Sequence, residues 1–236
     1  MFMGKLWITE HRNHAKYLSK LHLLNSLSVS ACESDFCKVM SLRTKESFYQ
    51  FKFNDGKKKP VCPKCYDFYQ VEAMFKDLKA HLIENGNILS SEVLPERDLP
   101  IIKFQYENAF RLDSFGDIIN DIHYENYMNI INKNPQTNFA LWTKRVNIAH
   151  KWLDKYSKPS NLILIYSNFH INNPLTELDL PKKFNKIFSA FEPKFVEENE
   201  VEINCGKFCI DCMKCYEPED DTIFMNEFVK MSNRKK

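Results

Sequence analysis

Eight cysteines constrain this chain more than any other feature, because they fall in two groups of four, at positions 32, 37, 62 and 65 and at 205, 209, 212 and 215, with none between. Clustered thiols are used either in disulfides or as metal ligands. The start, MFMGKLWITEHRNHAK, lacks the apolar stretch of a secretion signal. A chain of 236 residues also buries enough surface to stand without covalent staples. Cysteines two residues apart make awkward disulfide loops, so metal is the better reading of both groups.

The second group reads Cys205-Gly-Lys-Phe-Cys209-Ile-Asp-Cys212-Met-Lys-Cys215, four thiols within eleven residues. A structural zinc usually takes two short cysteine pairs held a dozen or more residues apart, so that two knuckles reach the ion tetrahedrally. No such spacer exists here. The density suits a four-iron, four-sulfide cluster, whose corners lie apart, and the spacing is a bacterial ferredoxin run in reverse order without its proline. Within it, Cys205-x3-Cys209-x2-Cys212 resembles the three-cysteine motif of radical SAM enzymes, which implies S-adenosylmethionine on an open iron. The sequence departs from that family in two ways. Cys215 is placed to cap the fourth iron, and little chain follows the motif.

The first group, Cys32-x4-Cys37, a gap of 24 residues, then Cys62-Pro-Lys-Cys65, has the two-pair spacing of a zinc ribbon-like site. A second cluster fits the same residues. So does one shared site at which the chain ends meet, with some cysteines buried as small apolar residues.

Other chemistry is excluded more firmly. Only five glycines occur, so the chain has no Walker loop, no G-x-G-x-x-G and no G-x-S-x-G elbow. The longest clean apolar run, Leu162 to Tyr166, is far short of the ~20 residues of a membrane span. A cytoplasmic protein without a membrane partner is expected. The net charge of +2 gives no general pull on nucleic acid. The runs Lys57-Lys58-Lys59 and Arg234-Lys235-Lys236 read as solvated loop and tail. Abundant lysine and asparagine read as coding bias, pointing to a microbe or its phage.

Between the cysteine groups, hydrophobic periodicity sets the architecture. Phe68, Val71, Phe75, Leu78 and Leu82 predict an amphipathic helix over 67–84, ended by Asn85-Gly86-Asn87. Strands are expected at 109–113, 138–142, 161–166 and 186–191. Two helical stripes separate them, Tyr124, Tyr127, Met128 and Ile131, then Ala149, Trp152, Leu153 and Tyr156. This alternation predicts an α/β fold, a partial or open parallel (βα) barrel-like sheet with cysteine-rich metal-binding segments at both ends. Residues 1–100 would supply N-terminal helices and the first cysteine group, 101–200 the βα repeats, and 201–236 the cluster loop and tail, all in one compact domain.

Ligands of parallel sheets gather at the carboxyl ends of strands. Candidate catalytic residues are therefore Arg111 and Asp113, two apart and expected on one strand face, Asp117 in the loop after Gly116, and Lys144. An internal ion pair, or a helix cap by Asp117, is the structural alternative. Thr143, Arg145, Ser167, Asn168 and His170 occupy equivalent loop positions.

The stretch Phe110-Arg111-Leu112-Asp113-Ser114-Phe115-Gly116-Asp117, then Tyr127, Asn134-Pro135 and Phe139-Ala140-Leu141-Trp142-Thr143-Lys144, resembles the phage gene product 88 family over residues 28 to 170. The pair Cys65-Tyr66 at a helix start fits the same pattern. The resemblance implies a phage or prophage origin and a bacterial cytoplasm, without implying a reaction. Two functions follow from the residues. One is an iron-sulfur protein, a redox or radical-type enzyme with its C-terminal cluster loop folded over the strand ends near Arg111, Asp113 and Asp117. The other is a non-catalytic, zinc-stabilised binding protein acting on host machinery or nucleic acid.

Overall fold

A computed structural model describes residues 5–11, 20–32, 34–41, 59–65, 67–68, 71, 76–103, 106 and 108–229. In chain order the elements are strand β1 (Asn25–Leu27), helix α1 (Asp35–Met40), β2 (Lys59–Pro60), α2 (Lys76–Ser91), β3 (Ala109–Leu112), α3 (Asp121–Lys133), β4 (Asn138–Thr143) and α4 (Val146–Leu153). There follow β5 (Leu162–Ile171), β6 (Lys186–Phe191), α5 (Pro193–Asn199), α6 (Cys209–Cys212) and β7 (Phe224–Phe228).

Strands β1, β3, β4, β5, β6 and β7 lie side by side in sequence order, each parallel to the next. The two-residue β2 runs antiparallel to the end of β5. The parallel α/β sheet expected from the alternation is present, and the strands over 109–113, 138–142, 161–166 and 186–191 fall where periodicity put them. Closure into a barrel is not seen among the described residues. Both outer edges are occupied by neighbouring chain. Thr9 exchanges backbone hydrogen bonds with Ser26 at 2.8 and 2.9 Å beside β1, and Asn204 and Cys205 donate their amides to Asn226 O beside β7. Chain laid along an edge in this way blunts it against pairing with another strand.

Side-chain alternation gives the sheet two different faces. Leu27, Phe110, Leu112, Phe139, Leu141, Leu162 and Leu164 pack with α2, α3 and α4 through Leu89, Tyr124, Tyr127, Met128 and Ala149. Ala109, Ala140, Ile163, Ile165 and Met225 face the other way, beneath Met213, Cys215 and Tyr216. Each large apolar side chain taken fully from water here contributes roughly 1.5–3 kcal/mol.

Four details differ from the sequence reading. Asn85-Gly86-Asn87 does not stop a helix, since α2 runs through it to Ser91. The Asn85 side chain points into the fold and binds Trp7 N, Trp7 O and Ser28 O at 2.7–3.0 Å, so tertiary bonds offset the weak local propensity. Tyr156 lies beyond α4 and is 53% exposed, outside the stripe expected to bury it. Asparagine is not merely coding bias. Buried Asn126 and Asn134 tie the segment after α2 to α3 by holding Leu94 N, Leu89 O and Glu92 O, and Ile102 N and Pro100 O. Residues 1–100 carry two strands of the common sheet as well as helices. Of the sequence features above, Lys57, Lys58, Tyr66, Phe75 and residues 234–236 lie outside the described residues.

Candidate metal centres and the strand-end site

The loops after β1, β3 and β4 meet at the carboxyl ends of the sheet, with β2 and Cys62 beside the end of β5. Helix α1 starts on Ser34, whose Oγ accepts the amide of Cys37 at 3.3 Å. Cys32, Cys37 and Cys65 pack together with Phe68. Cys62 is close enough to act electrostatically on both Cys37 and Cys65. The first group of four is therefore one neighbourhood, and it sits at the strand ends.

Its neighbours are charged. Asp67 accepts the amides of Gly116 at 2.7 Å and Ala31 at 3.3 Å, joining three segments that carry or flank the thiols. Gly116 has φ +73°, and Val29 O would lie 2.5 Å from any Cβ placed there, so only glycine fits. Asp117 Oδ1 accepts Thr143 Oγ1 at 2.6 Å and Ile118 N at 2.8 Å, and its Oδ2 accepts Lys144 N at 3.0 Å. This fixes the β4 loop and, with it, Lys144, whose Nζ donates to Ser167 Oγ at 2.7 Å. The helix cap offered as an alternative role for Asp117 belongs instead to Asn120, which accepts His123 N at 2.9 Å at the start of α3. Arg145 places its guanidinium 4.6 Å above the Phe36 ring.

Arg111 and Asp113 do not share a face. Asp113 has φ +49°, which breaks the strand alternation and turns its carboxylate toward α3, where Tyr127 OH donates to Oδ1 at 2.7 Å. Arg111 lies on the opposite face, with its guanidinium 3.1 Å from the Trp142 ring centroid. No ion pair joins the two among the described residues. Burial, then the nearby Asp117, pushes the Asp113 pKa well up, and burial likewise raises Asp117 against the pull of Lys144.

The second cysteine group is elsewhere. It covers the face of the sheet opposite the helices, where Cys205 and Cys209 pack with Cys215, Ala140, Trp142 and Ile163. The expectation that this loop folds over the strand ends is corrected: of the residues named for it, only Arg111 is near. Cys212 is close enough to act electrostatically on Cys205 and Cys209, so these four also form one neighbourhood. Lys20 Nζ donates to Cys205 Sγ at 3.0 Å and to Glu227 Oε1 at 2.8 Å, and Lys20 O accepts Cys209 N at 2.9 Å. The short helix α6 ends with Met213 at φ +53°, which turns the chain so that Cys215 and Tyr216 enter the core.

Burial raises the thiol pKa in both groups. Cys65 is pushed to about 11 by burial and Asp67, while Cys37 rises through burial and then Asp117. For Cys209 and Cys205, burial is opposed by the cations Arg111 and Lys20. No disulfide joins the eight cysteines. Among the described residues, no three Cys, His, Asp or Glu side chains converge as ligands of a single ion. All eight thiols are free, with Lys144 acting on the first group and Lys20 and Arg111 on the second.

Asp67, Lys20 and Tyr216 escaped the sequence reading. Only the position of Asp67, two residues after Cys65 at a helix start, offered a signal. Further along β1, His11 Nε2 lies 3.0 Å from Ser26 Oγ, and burial and Arg111 lower its pKa to about 4, so the ring is neutral. His170 lies in β5, and its amide donates to Asn168 Oδ1 at 3.0 Å. No helix among the described residues is long and apolar enough to cross a membrane.

Neither a search of curated proteins nor one of solved structures finds a match. A model of the family described as gene product 88 matches residues 10–213, a wider span than the one that carried the resemblance. The match takes in β1, the first cysteine group, the strand-end loops and three of the four C-terminal cysteines. This chain therefore belongs to the gene product 88 family of phage proteins.

Proposed function

We propose that this protein is an iron-sulfur redox protein with two separate thiol centres. Cys205, Cys209, Cys212 and Cys215 would hold a four-iron cluster against the open face of the sheet. Cys32, Cys37, Cys62 and Cys65 would hold a second metal at the strand ends, where the two-pair spacing suits zinc. The observation that carries this reading is the separation of the two neighbourhoods. The first group feels Asp67, Asp117 and Lys144, whereas the second feels Lys20, Arg111 and Glu227.

A bound cluster would supply one-electron transfer. The protein's residues prepare for it. Lys20 and Arg111 offset the negative charge that four thiolates bring, and Trp142 holds Arg111 in place beneath them. Cys215 is buried with Cys205 and Cys209, which favours a fully capped cluster over the open iron that S-adenosylmethionine chemistry requires. Loading must expel protons from thiols whose pKa burial has raised, and it would close each set around its metal. Asp117 acts as a positioning residue for Lys144.

One observation favours the alternative, a zinc-stabilised binding protein. Both Asp117 oxygens are occupied by the fold, as a scaffold residue's would be. Metal analysis separates the two. Protein purified without oxygen should be brown and contain four irons and four sulfides in addition to zinc. Colourless protein with zinc and no sulfide would end the redox reading and leave the scaffold one.

A further inference from the structure

The carboxyl ends of β4 and β5 open onto a pocket of about 420 Å³, within the size range of small-molecule sites. Lys144, Tyr166, Phe169, Leu175 and Asp179 line it. A larger hollow of about 580 Å³ lies near the start of β5, at the opposite end of the strands, between α4 and the turn before β6. The smaller pocket is the better candidate, because it stands where parallel sheets present ligands and contains a cation set by the site itself.

Three features define what would fit. Lys144 is held by Ser167 and by the Asp117 bond to its amide, and its charge reaches Cys62 and Tyr166. Tyr166 and Phe169 stand with ring centroids 6.5 Å apart at 59°, an aromatic corner rather than a closed stack. Asp179, whose carboxylate accepts Thr176 N and Oγ1, bounds the pocket at its exposed rim. We infer that this pocket binds a nucleotide-sized small molecule joining a planar ring to an anionic group. The anion meets Lys144, and the ring packs on Tyr166 and Phe169. The pocket borders the first cysteine group through Lys144, so its ligand lies beside that centre. The inference goes beyond the redox reading and does not depend on which metal the thiols carry.

The test is calorimetric titration of the full chain, as isolated, with adenosine monophosphate, adenosine and inorganic phosphate. Adenosine monophosphate should bind at least about tenfold more tightly than either fragment, the margin a charge-assisted hydrogen bond provides. Lys144→Gln should remove that margin and leave adenosine binding unchanged. Asn147→Asp, at an exposed position on the pocket wall, should also weaken adenosine monophosphate and not adenosine. No heat with adenosine monophosphate at millimolar concentration, equal affinity for adenosine, or indifference to both variants would overturn the inference. Binding by protein purified without oxygen and found to contain zinc but no iron would sink the redox reading and leave this one standing.

Discussion

Gly116→Ala probes the joint that holds the first cysteine group to the sheet. Gly116 has φ +73°, a conformation that costs an ordinary residue about 1–2 kcal/mol. A Cβ there would meet Val29 O at 2.5 Å and Val29 Cγ2 at 2.8 Å, and since a backbone oxygen cannot swing aside, the loop must move. Overpacking of this kind costs roughly another 1–3 kcal/mol. Together these predict a melting temperature lower by about 5–15 °C for a domain of this size. Gly116 N also binds Asp67, so displacement should lower the zinc content if, as proposed, Cys32, Cys37, Cys62 and Cys65 hold that metal. Gly86→Ala is the control. Its Cβ would lie 3.2 Å from Ile119 Cδ1, the tip of a flexible side chain, and alanine gains about 1 kcal/mol of helix propensity within α2. It should melt within a few degrees of the parent. Thermal unfolding followed by circular dichroism reads both variants. A Gly116→Ala protein as stable as the parent, or a Gly86→Ala protein equally damaged, would refute the reasoning.

Titration and buried charge give further outcomes. The Asp113 pKa is raised in the folded protein by burial and Asp117, so its contribution is intact below the unfolded value of about 4 and is lost as pH rises toward the folded one. Asp113→Asn keeps an acceptor for Tyr127 and should be more stable than the parent at pH 7, with the gain vanishing near pH 4. Urea unfolding at several pH values checks this, and a pH-independent difference would contradict it. Lys186, 1% exposed, donates to Asp220 Oδ1 at 2.6 Å and to two carbonyls, fastening the segment after the second cysteine group. Asp220→Asn leaves that buried ammonium without its counter-charge, and chemical denaturation should show a loss of about 2–4 kcal/mol, the lower part of the usual range because Asp220 is partly exposed. Burial pushes the Asp220 pKa up, but Lys186 outweighs it and the net shift is down, so the pair stabilises above about pH 4 and fails as pH falls through the folded value. Asp220→Asn should therefore flatten the acid limb of the stability profile.

The central strands were legible because Leu162, Ile163, Leu164 and Ile165 form the continuous apolar run of a strand buried on both faces. The edge strands were not. β1 is Asn-Ser-Leu and β7 is Phe-Met-Asn-Glu-Phe, too short or too polar to stand out from loop sequence, and they are strands because β3 and β6 offer them a ladder. That omission decided the reading of the site. With β1 unseen, Cys32 and Cys37 could not be assigned to a loop at the carboxyl end of the sheet, and the strand-end position went to the C-terminal cysteines. Asp113 shows a second limit. Spacing put it on the face of Arg111, and a single left-handed residue moved it to the other. Spacing marked out the short pairs and the C-terminal run of four thiols, but it left open whether the eight serve one site or two, and the neighbours Asp67 and Lys20 come from folding.

The claim that two distinct centres exist is tested most directly by metal and sulfide analysis of two double variants purified without oxygen, Cys209→Ser/Cys212→Ser and Cys62→Ser/Cys65→Ser. The account predicts that the first loses its iron and sulfide and keeps its zinc, and that the second loses zinc and keeps its visible spectrum. Loss of all metal from either variant would mean that the eight thiols serve one shared site, and the account would be wrong.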